Sequence, residues 1–277
     1  MKKIFKKAGN MAGIARLLVL AVLFSIGNAA TAQTNYTSAI LRYMRANGQM
    51  EQFGEMEKAA VQIIALLRSE VKTIPASTTN EQLAKKYTEE QFPTDIASIM
   101  SVKLRDEVSV KEINQLSELL ETPAGQLAVA HGNKMNEDEN LADMMAQIGS
   151  DMADILQGKT PKPVKVTASA ERKKLFHNYY QASIAQLIEP MIKMYFPEDD
   201  GSEEYKNATK YMMENMESLL LNASEGILTD EDLRFYNKLT QYPQFKKLMN
   251  GIRDILGDPT SLGMQLVMKV TTWLQDQ

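Results

Sequence analysis

The sequence contains no cysteine, only two histidines and a single tryptophan among its 277 residues. The absence of cysteine excludes a disulfide framework and a thiol nucleophile. Two histidines in separate parts of the chain cannot form a histidine-rich metal site. Glycine-rich phosphate loops and Gly-x-Ser-x-Gly nucleophile elbows are also absent. The sequence therefore predicts no catalytic constellation, no metal ligands and no cofactor.

Long apolar runs are rare, and the one that stands out lies near the start of the chain. Four lysines and Arg16 precede the apolar residues 17–26, and Ala30-Thr31-Ala32 provides small residues for cleavage before Gln33. The run is short for a membrane span, although an uncleaved anchor is the alternative. We predict a signal peptide over residues 1–32 and a periplasmic or secreted protein of the bacterial envelope, without an integral membrane span after cleavage.

Basic residues are scarce in the predicted mature chain. Residues 1–32 hold five of the 31 lysines and arginines and none of the 35 acids, so 26 basic residues face 35 acidic ones and the net charge is −9. A nucleic-acid surface needs a basic face that neutralises phosphates. We therefore predict no nucleic-acid partner.

Alternation of apolar and polar residues with a two-residue period, which would predict β-strands, does not extend beyond a few positions. Apolar residues recur instead at helical spacing, which predicts an all-α protein. We predict two tandem, duplicated bundles of about four or five helices each, in residues 33–157 and 170–277. Pro161 and Pro163 lie in residues 158–169, which are predicted to form an extended linker.

One segment occurs twice, at residues 109–123 and 229–243. The copies align without a gap at a spacing of 120 residues, and each ends at a proline that breaks a helix and can begin another. Each copy opens with a hydroxyl residue and has an acid three positions later, which predicts a capping box. The predicted buried faces are Ile113, Leu116 and Leu119 in the first copy and Leu233, Tyr236 and Leu239 in the second.

The segment Thr122-Pro123-Ala124-Gly125-Gln126 resembles part of the bacterial family catalogued as domain of unknown function 2059. The family pattern, an aromatic Phe-Tyr pair followed by Ser-Pro-x-Gly-x-Lys, is similar to different parts of the two copies. The first copy has the proline and glycine but Leu119-Leu120 at the aromatic pair; the second has Phe235-Tyr236 and Lys246-Lys247 but Phe245 at the glycine. The resemblance implies a secreted helical protein and identifies no catalytic residue.

The two histidines are weak candidates for catalysis. His131 is predicted at the end of a helix, where an imidazolium meets the negative end of the helix dipole, with a general base as the alternative. His177 is predicted on a helix face. An enzyme or enzyme accessory built on carboxylates and tyrosine would instead use Glu231, Asp232 and Tyr236.

Two acidic clusters, at residues 137–139 and 198–204, are predicted to be solvated loops. Calcium binding is the alternative for both clusters. The second cluster contains a glycine, but it lacks the ligand spacing and the terminal glutamate of an EF-hand loop.

Sixteen of the 18 methionines follow the predicted signal peptide. Core packing is their expected role, but adjacent methionines on a helix cannot both face one core, so some are predicted on a second surface. The candidate interaction residues are Met144, Met145, Met212, Met213, Phe235 and Tyr236. We predict a non-enzymatic envelope protein that binds a protein segment or an apolar ligand; the alternatives are the carboxylate–tyrosine enzyme and a lipid carrier with an internal cavity.

Overall fold

The structure, a computed structural model, describes residues 32–50, 57–68, 75, 77–137, 139–155, 157–161, 164–188, 190 and 203–277. The described residues form an all-α fold without β-strands, as predicted. None of the described helices combines the length and the apolar character needed to cross a membrane. The predicted signal peptide lies outside the described residues except for Ala32.

Twelve α-helices and one π-helical turn make up the described chain. In order they are α1 (Ala32–Ala46), α2 (Glu57–Leu67), α3 (Asn80–Lys86), the π-helical turn (Tyr87–Gln91), α4 (Phe92–Leu104), α5 (Val110–Leu120), α6 (Pro123–Glu137), α7 (Glu139–Ile155), α8 (Ala170–Ser183), α9 (Glu203–Ala223), α10 (Asp230–Thr240), α11 (Pro243–Leu256) and α12 (Pro259–Gln275).

The chain divides into two compact units. Unit 1 comprises the described residues up to Ser117 and from Asn250 onward, and unit 2 comprises the described residues from Glu118 to Met249. In unit 1, α1 and α12 both pack on α4. In unit 2, α6 packs on α10 and α7 packs on α9. These bounds differ from residues 33–157 and 170–277, and the division into two duplicated bundles stays a prediction.

The segment that occurs twice has the same local structure in both copies. Helices α5 and α10 begin and end 120 residues apart, and α6 and α11 both begin at the proline that follows. In each copy the acid accepts a hydrogen bond of 2.7 Å from the backbone N–H of Ser109 or Thr229. Each cap hydroxyl in turn accepts from the backbone N–H of its acid, at 3.3 and 3.1 Å. The predicted capping boxes are confirmed.

The buried face of α5 differs from the predicted one at its last position. Ile113, Leu116 and Leu120 are fully buried, whereas Leu119 is only half-buried. The predicted face spans six residues, from Ile113 to Leu119, but a helix with 3.6 residues per turn returns to the same side after seven residues, which is the spacing from Ile113 to Leu120. Leu239, which is equivalent to Leu119 in sequence, is 4% exposed. The two copies therefore share helix bounds and caps without sharing every buried position.

The described part of the predicted linker forms no helix and belongs to unit 2. Val164, Val166 and Ala168 alternate with exposed residues and pack on the hydrophobic core of that unit. Asn222 of α9 donates a side-chain hydrogen bond of 2.7 Å to the carbonyl oxygen of Lys165. This segment is therefore anchored to unit 2, and its extended character stays a prediction.

Candidate functional site

In unit 1, an irregular helix brings polar side chains together around one buried carboxylate. Helix α3, the π-helical turn and α4 follow one another without a break. Pro93 has no N–H and cannot complete an α-helical hydrogen bond. Immediately before it, the N–H of Phe92 donates to the carbonyl oxygen of Tyr87, five residues back. Such wider turns are frequent at functional sites, and this one places Tyr87 and Gln91 beside Asp95.

The carboxylate of Asp95 is buried, with 3% of the residue exposed. Its Oδ2 accepts a hydrogen bond of 3.0 Å from the hydroxyl of Tyr87, and its Oδ1 accepts one of 2.9 Å from Nε2 of Gln91. These bonds offset the cost of removing the charge from water. Burial, together with the nearby carboxylate, raises the pKa of Tyr87, so its hydroxyl stays protonated and continues to donate.

Lys269 of α12 lies near the same carboxylate. Its Nζ lies 3.9 Å from Oδ1 of Asp95, and its side chain is 41% exposed. This distance is too long for a hydrogen bond. Because Asp95 already has two donors, it does not depend on Lys269 for its hydrogen bonds. Among the described residues, the Lys269 ammonium has no hydrogen-bond partner, and its N–H groups can bind another acceptor.

An open cleft of about 440 Å³ lies between these elements. Gln91 and Asp95 form one wall, and a single face of α12 forms the other. The residues of this second wall recur at the three- and four-residue spacing of one helix face and include two adjacent pairs: Gln265, Met268, Lys269, Thr272 and Trp273 of α12, and Asp276 directly after the helix. Trp273, the single tryptophan of the sequence, has its ring centre 5.1 Å from that of Tyr87. Two of the eight lining side chains, Trp273 and Met268, are apolar and the other six are polar or charged, a combination that suits a small amphipathic molecule.

The apolar surface continues outside the cleft along α12. Met264, Val267 and Met268 are 59%, 38% and 68% exposed, and their spacing places them on one stripe of the helix. Met268 belongs to both the stripe and the cleft. The stripe therefore extends the apolar surface of the cleft along α12.

Unit 2 contains a buried carboxylate with a different set of partners. Oδ2 of Asp232 accepts from the backbone N–H and the hydroxyl of Thr229 and from Nδ1 of His131, each at 2.7 Å. Burial alone raises the pKa of Asp232, but the hydrogen bonds from Thr229 and His131 outweigh it and hold the pKa below its usual value. His131 lies in the middle of α6, so its predicted position at a helix end is wrong, because α6 continues to Glu137.

A second carboxylate of unit 2, that of Asp151, has the same donor set as Asp95. Its Oδ2 accepts from the hydroxyl of Tyr211, and its Oδ1 accepts a bond of 2.7 Å from Nε2 of Gln147, four residues earlier. Asp151 is 5% exposed. Burial and the bond to Asp151 raise the pKa of Tyr211, so this phenol also remains a donor.

The predicted interaction residues all lie in unit 2, but their side chains differ in exposure. Met144 and Met212 belong to its hydrophobic core, whereas Met213 is 53% exposed. Phe235 and Tyr236 are half-buried; the Tyr236 ring stacks on Tyr179 with a centre separation of 5.1 Å, and its hydroxyl donates to the carbonyl oxygen of Ala128 at 2.9 Å. The side chain of Met145 lies outside the described residues. A role for these residues in binding stays a prediction.

The remaining candidates lie at the surface or outside the described residues. His177 lies on the exposed side of α8 with Nδ1 3.0 Å from Glu217, and Glu231 pairs with Arg234 at 2.9 Å. Asp138 and residues 191–202, which include most of the second acidic cluster, are outside the described chain. Within the described residues, no three metal-ligating side chains are grouped.

The cleft residues of unit 1 were not predicted from the sequence. Leu266, Val270 and Leu274 of α12 are buried, whereas Trp273 of the same helix lines the cleft. The spacing of Lys269, Trp273 and Asp276 along one helix face was the available signal. The chain matches no protein-family model, no curated protein and no solved structure.

Proposed function

We propose that this protein is a non-enzymatic, exported protein of the bacterial envelope that binds a small amphipathic ligand in the cleft of unit 1. The observation that carries the proposal is the cleft itself, where Trp273 and Met268 lie beside Lys269 and the buried carboxylate of Asp95. The stripe of exposed apolar residues that continues from Met268 supports it. Export after cleavage near Gln33, and the resemblance to domain of unknown function 2059, are part of the same proposal.

The hydrogen bonding of the acids favours binding over catalysis. Both oxygens of Asp95 accept hydrogen bonds, and the raised pKa of Tyr87 keeps its proton on the phenol. In unit 2, Asp232 accepts three hydrogen bonds, which stabilise its charge and weaken it as a base. The hydroxyl of Tyr236 already donates to Ala128. These groups are held in fixed roles, whereas proton transfer requires a group with a pKa near the working pH.

The fluorescence of Trp273 provides a direct test, since no other tryptophan contributes to the signal. We expect 1-decanol, an uncharged ten-carbon molecule, to shift the emission of the purified protein to shorter wavelength in a saturable titration. Met268→Ser should weaken this binding several-fold, because it removes an apolar wall of the cleft.

The matched control is Met213→Ser, which changes an exposed methionine of unit 2 and should leave the titration unchanged. If 1-decanol, decanoate and decylamine all fail to produce a saturable shift, the proposed binding function is wrong. Equal weakening by both methionine variants would place the binding outside the cleft.

A further inference from the structure

We propose that the cleft selects amphipathic carboxylates, namely medium-chain fatty-acid anions, over uncharged and cationic molecules of the same length. The carboxylate would bind Lys269, and the acyl chain would lie over Met268 and the exposed stripe of α12. This inference rests on the proposed binding function and specifies its ligand.

The first argument concerns the hydrogen-bond donors of the cleft. The ammonium of Lys269 lies 3.9 Å from Asp95, which is an electrostatic contact without a hydrogen bond. Asp95 has its own donors in Tyr87 and Gln91, so Lys269 can turn to a ligand without leaving a buried carboxylate unsatisfied. An ammonium held near a cleft in this way is a site for an anion.

The second argument concerns the acids, which at first favour a cation. A cationic head group that approached Asp95 would meet the ammonium of Lys269, which lies 3.9 Å from Oδ1 and repels a second positive charge. Asp276 is exposed and lies seven residues beyond Lys269, about 10 Å along the helix axis. At that distance, beside water, its repulsion of an anion bound to Lys269 is screened.

The third argument concerns the direction of the acyl chain. Met268 is adjacent to Lys269 in sequence and lines the cleft, and Met264 lies one turn further from Asp276. Together with Val267 they form an exposed apolar stripe that begins beside the ammonium. An acyl chain on this stripe points away from the acidic end of the cleft, so one orientation satisfies both the head group and the chain.

The test compares three ten-carbon ligands that differ only in the head group, each below the concentration at which it forms micelles. Titrations followed by Trp273 fluorescence should show decanoate binding about three to ten times more tightly than 1-decanol, with decylamine weakest. Lys269→Gln should remove the preference for decanoate and leave the affinity for 1-decanol unchanged. Lys103→Gln, at an exposed lysine of α4 outside the cleft lining, should keep the preference.

Two further measurements use the unmodified protein and therefore stay decisive if Lys269→Gln does not fold. Raising the salt concentration should weaken decanoate binding while sparing 1-decanol. Shortening the acid from decanoate to nonanoate should weaken binding by about fourfold if the lost methylene is buried.

The outcomes separate the two proposals. If decanoate and 1-decanol bind equally well and salt affects neither, the binding function stands and the carboxylate selectivity is wrong. Tightest binding of decylamine would likewise overturn the inference, in favour of a cation site at Asp95 and Asp276. Failure of all three ligands would overturn the proposed function and this inference together.

Discussion

Replacing Leu120 with alanine isolates the contribution of the buried face at the end of α5. Leu120 is fully buried, whereas Leu119, its neighbour in the same helical turn and the same compact unit, is half-buried. Both substitutions make the same change in helix propensity, so the difference between them reports burial. Leu120→Ala should lower the free energy of unfolding by about 2–5 kcal/mol through lost burial and a residual cavity. Leu119→Ala should cost about 1 kcal/mol.

Urea unfolding followed by circular dichroism measures the free energy of unfolding of both variants and of the unmodified protein. An unchanged slope of the transition shows that the compactness of the unfolded chain is the same in all three. Leu239→Ala is the informative third variant, since Leu239 is equivalent to Leu119 in sequence but is buried. We expect it to resemble Leu120→Ala. If Leu119→Ala destabilises as much as Leu120→Ala, the assignment of the buried face of α5 is refuted.

Three further predictions follow from single contacts. Gly125→Ala should destabilise the protein strongly, because the added Cβ would lie 2.5 Å from the carbonyl oxygen of Leu120. Gly149→Ala places its Cβ in open space and should stabilise α7 by about 0.5–1 kcal/mol. Thermal melting compares the two variants. Folding lowers the pKa of Asp232 below its ordinary value of 3.8. The ionised side chain therefore stabilises the folded protein above pH 3.8, and this stabilisation is lost as the pH falls through the lower pKa of the folded state. Asp232→Asn should flatten that loss in urea titrations between about pH 6 and pH 3. Tyr87→Phe should destabilise the protein less than Tyr211→Phe, because Lys269 can move onto Asp95 when the phenol is removed. Asp151, the partner of Tyr211, has no cationic partner among the described residues. Equal losses of unfolding free energy in urea would contradict this reasoning.

Features set by nearest neighbours along the chain could be predicted from the sequence. The all-α class, the capping boxes of α5 and α10 and the helix starts at Pro123 and Pro243 each depend on a few adjacent residues. The half-burial of Leu119 was missed, since apolar character alone does not decide between adjacent leucines when only one can face the core. His131 was predicted at a helix end because a glycine follows it, but Gly132 is helical and α6 continues to Glu137.

Features that depend on distant contacts could not be predicted. The cleft requires α12 to pack on α4, which brings Lys269 near Asp95 across more than 170 residues of sequence. The π-helical turn is also set by its surroundings, because a proline in a helix more often produces a kink or an end. The single tryptophan was visible in the sequence, but its partial exposure follows from the packing of α12 and not from its apolar character.

Comparing Asp95 with Asp151, which have the same kinds of hydrogen-bond donor, indicates whether burying such a carboxylate requires a cationic partner. Asp95 and Asp151 each accept from a tyrosine hydroxyl and from a glutamine four residues earlier, although a spacing of 120 residues would align Asp95 with Asn215. The shared donors therefore reflect a common physical need, which is to satisfy a carboxylate removed from water. Asp151 meets that need without a cationic partner in the described chain, so Lys269 is not needed to bury Asp95. The ammonium of Lys269, beside an open cleft and the chain's single tryptophan, is therefore available for the carboxylate ligand that we propose.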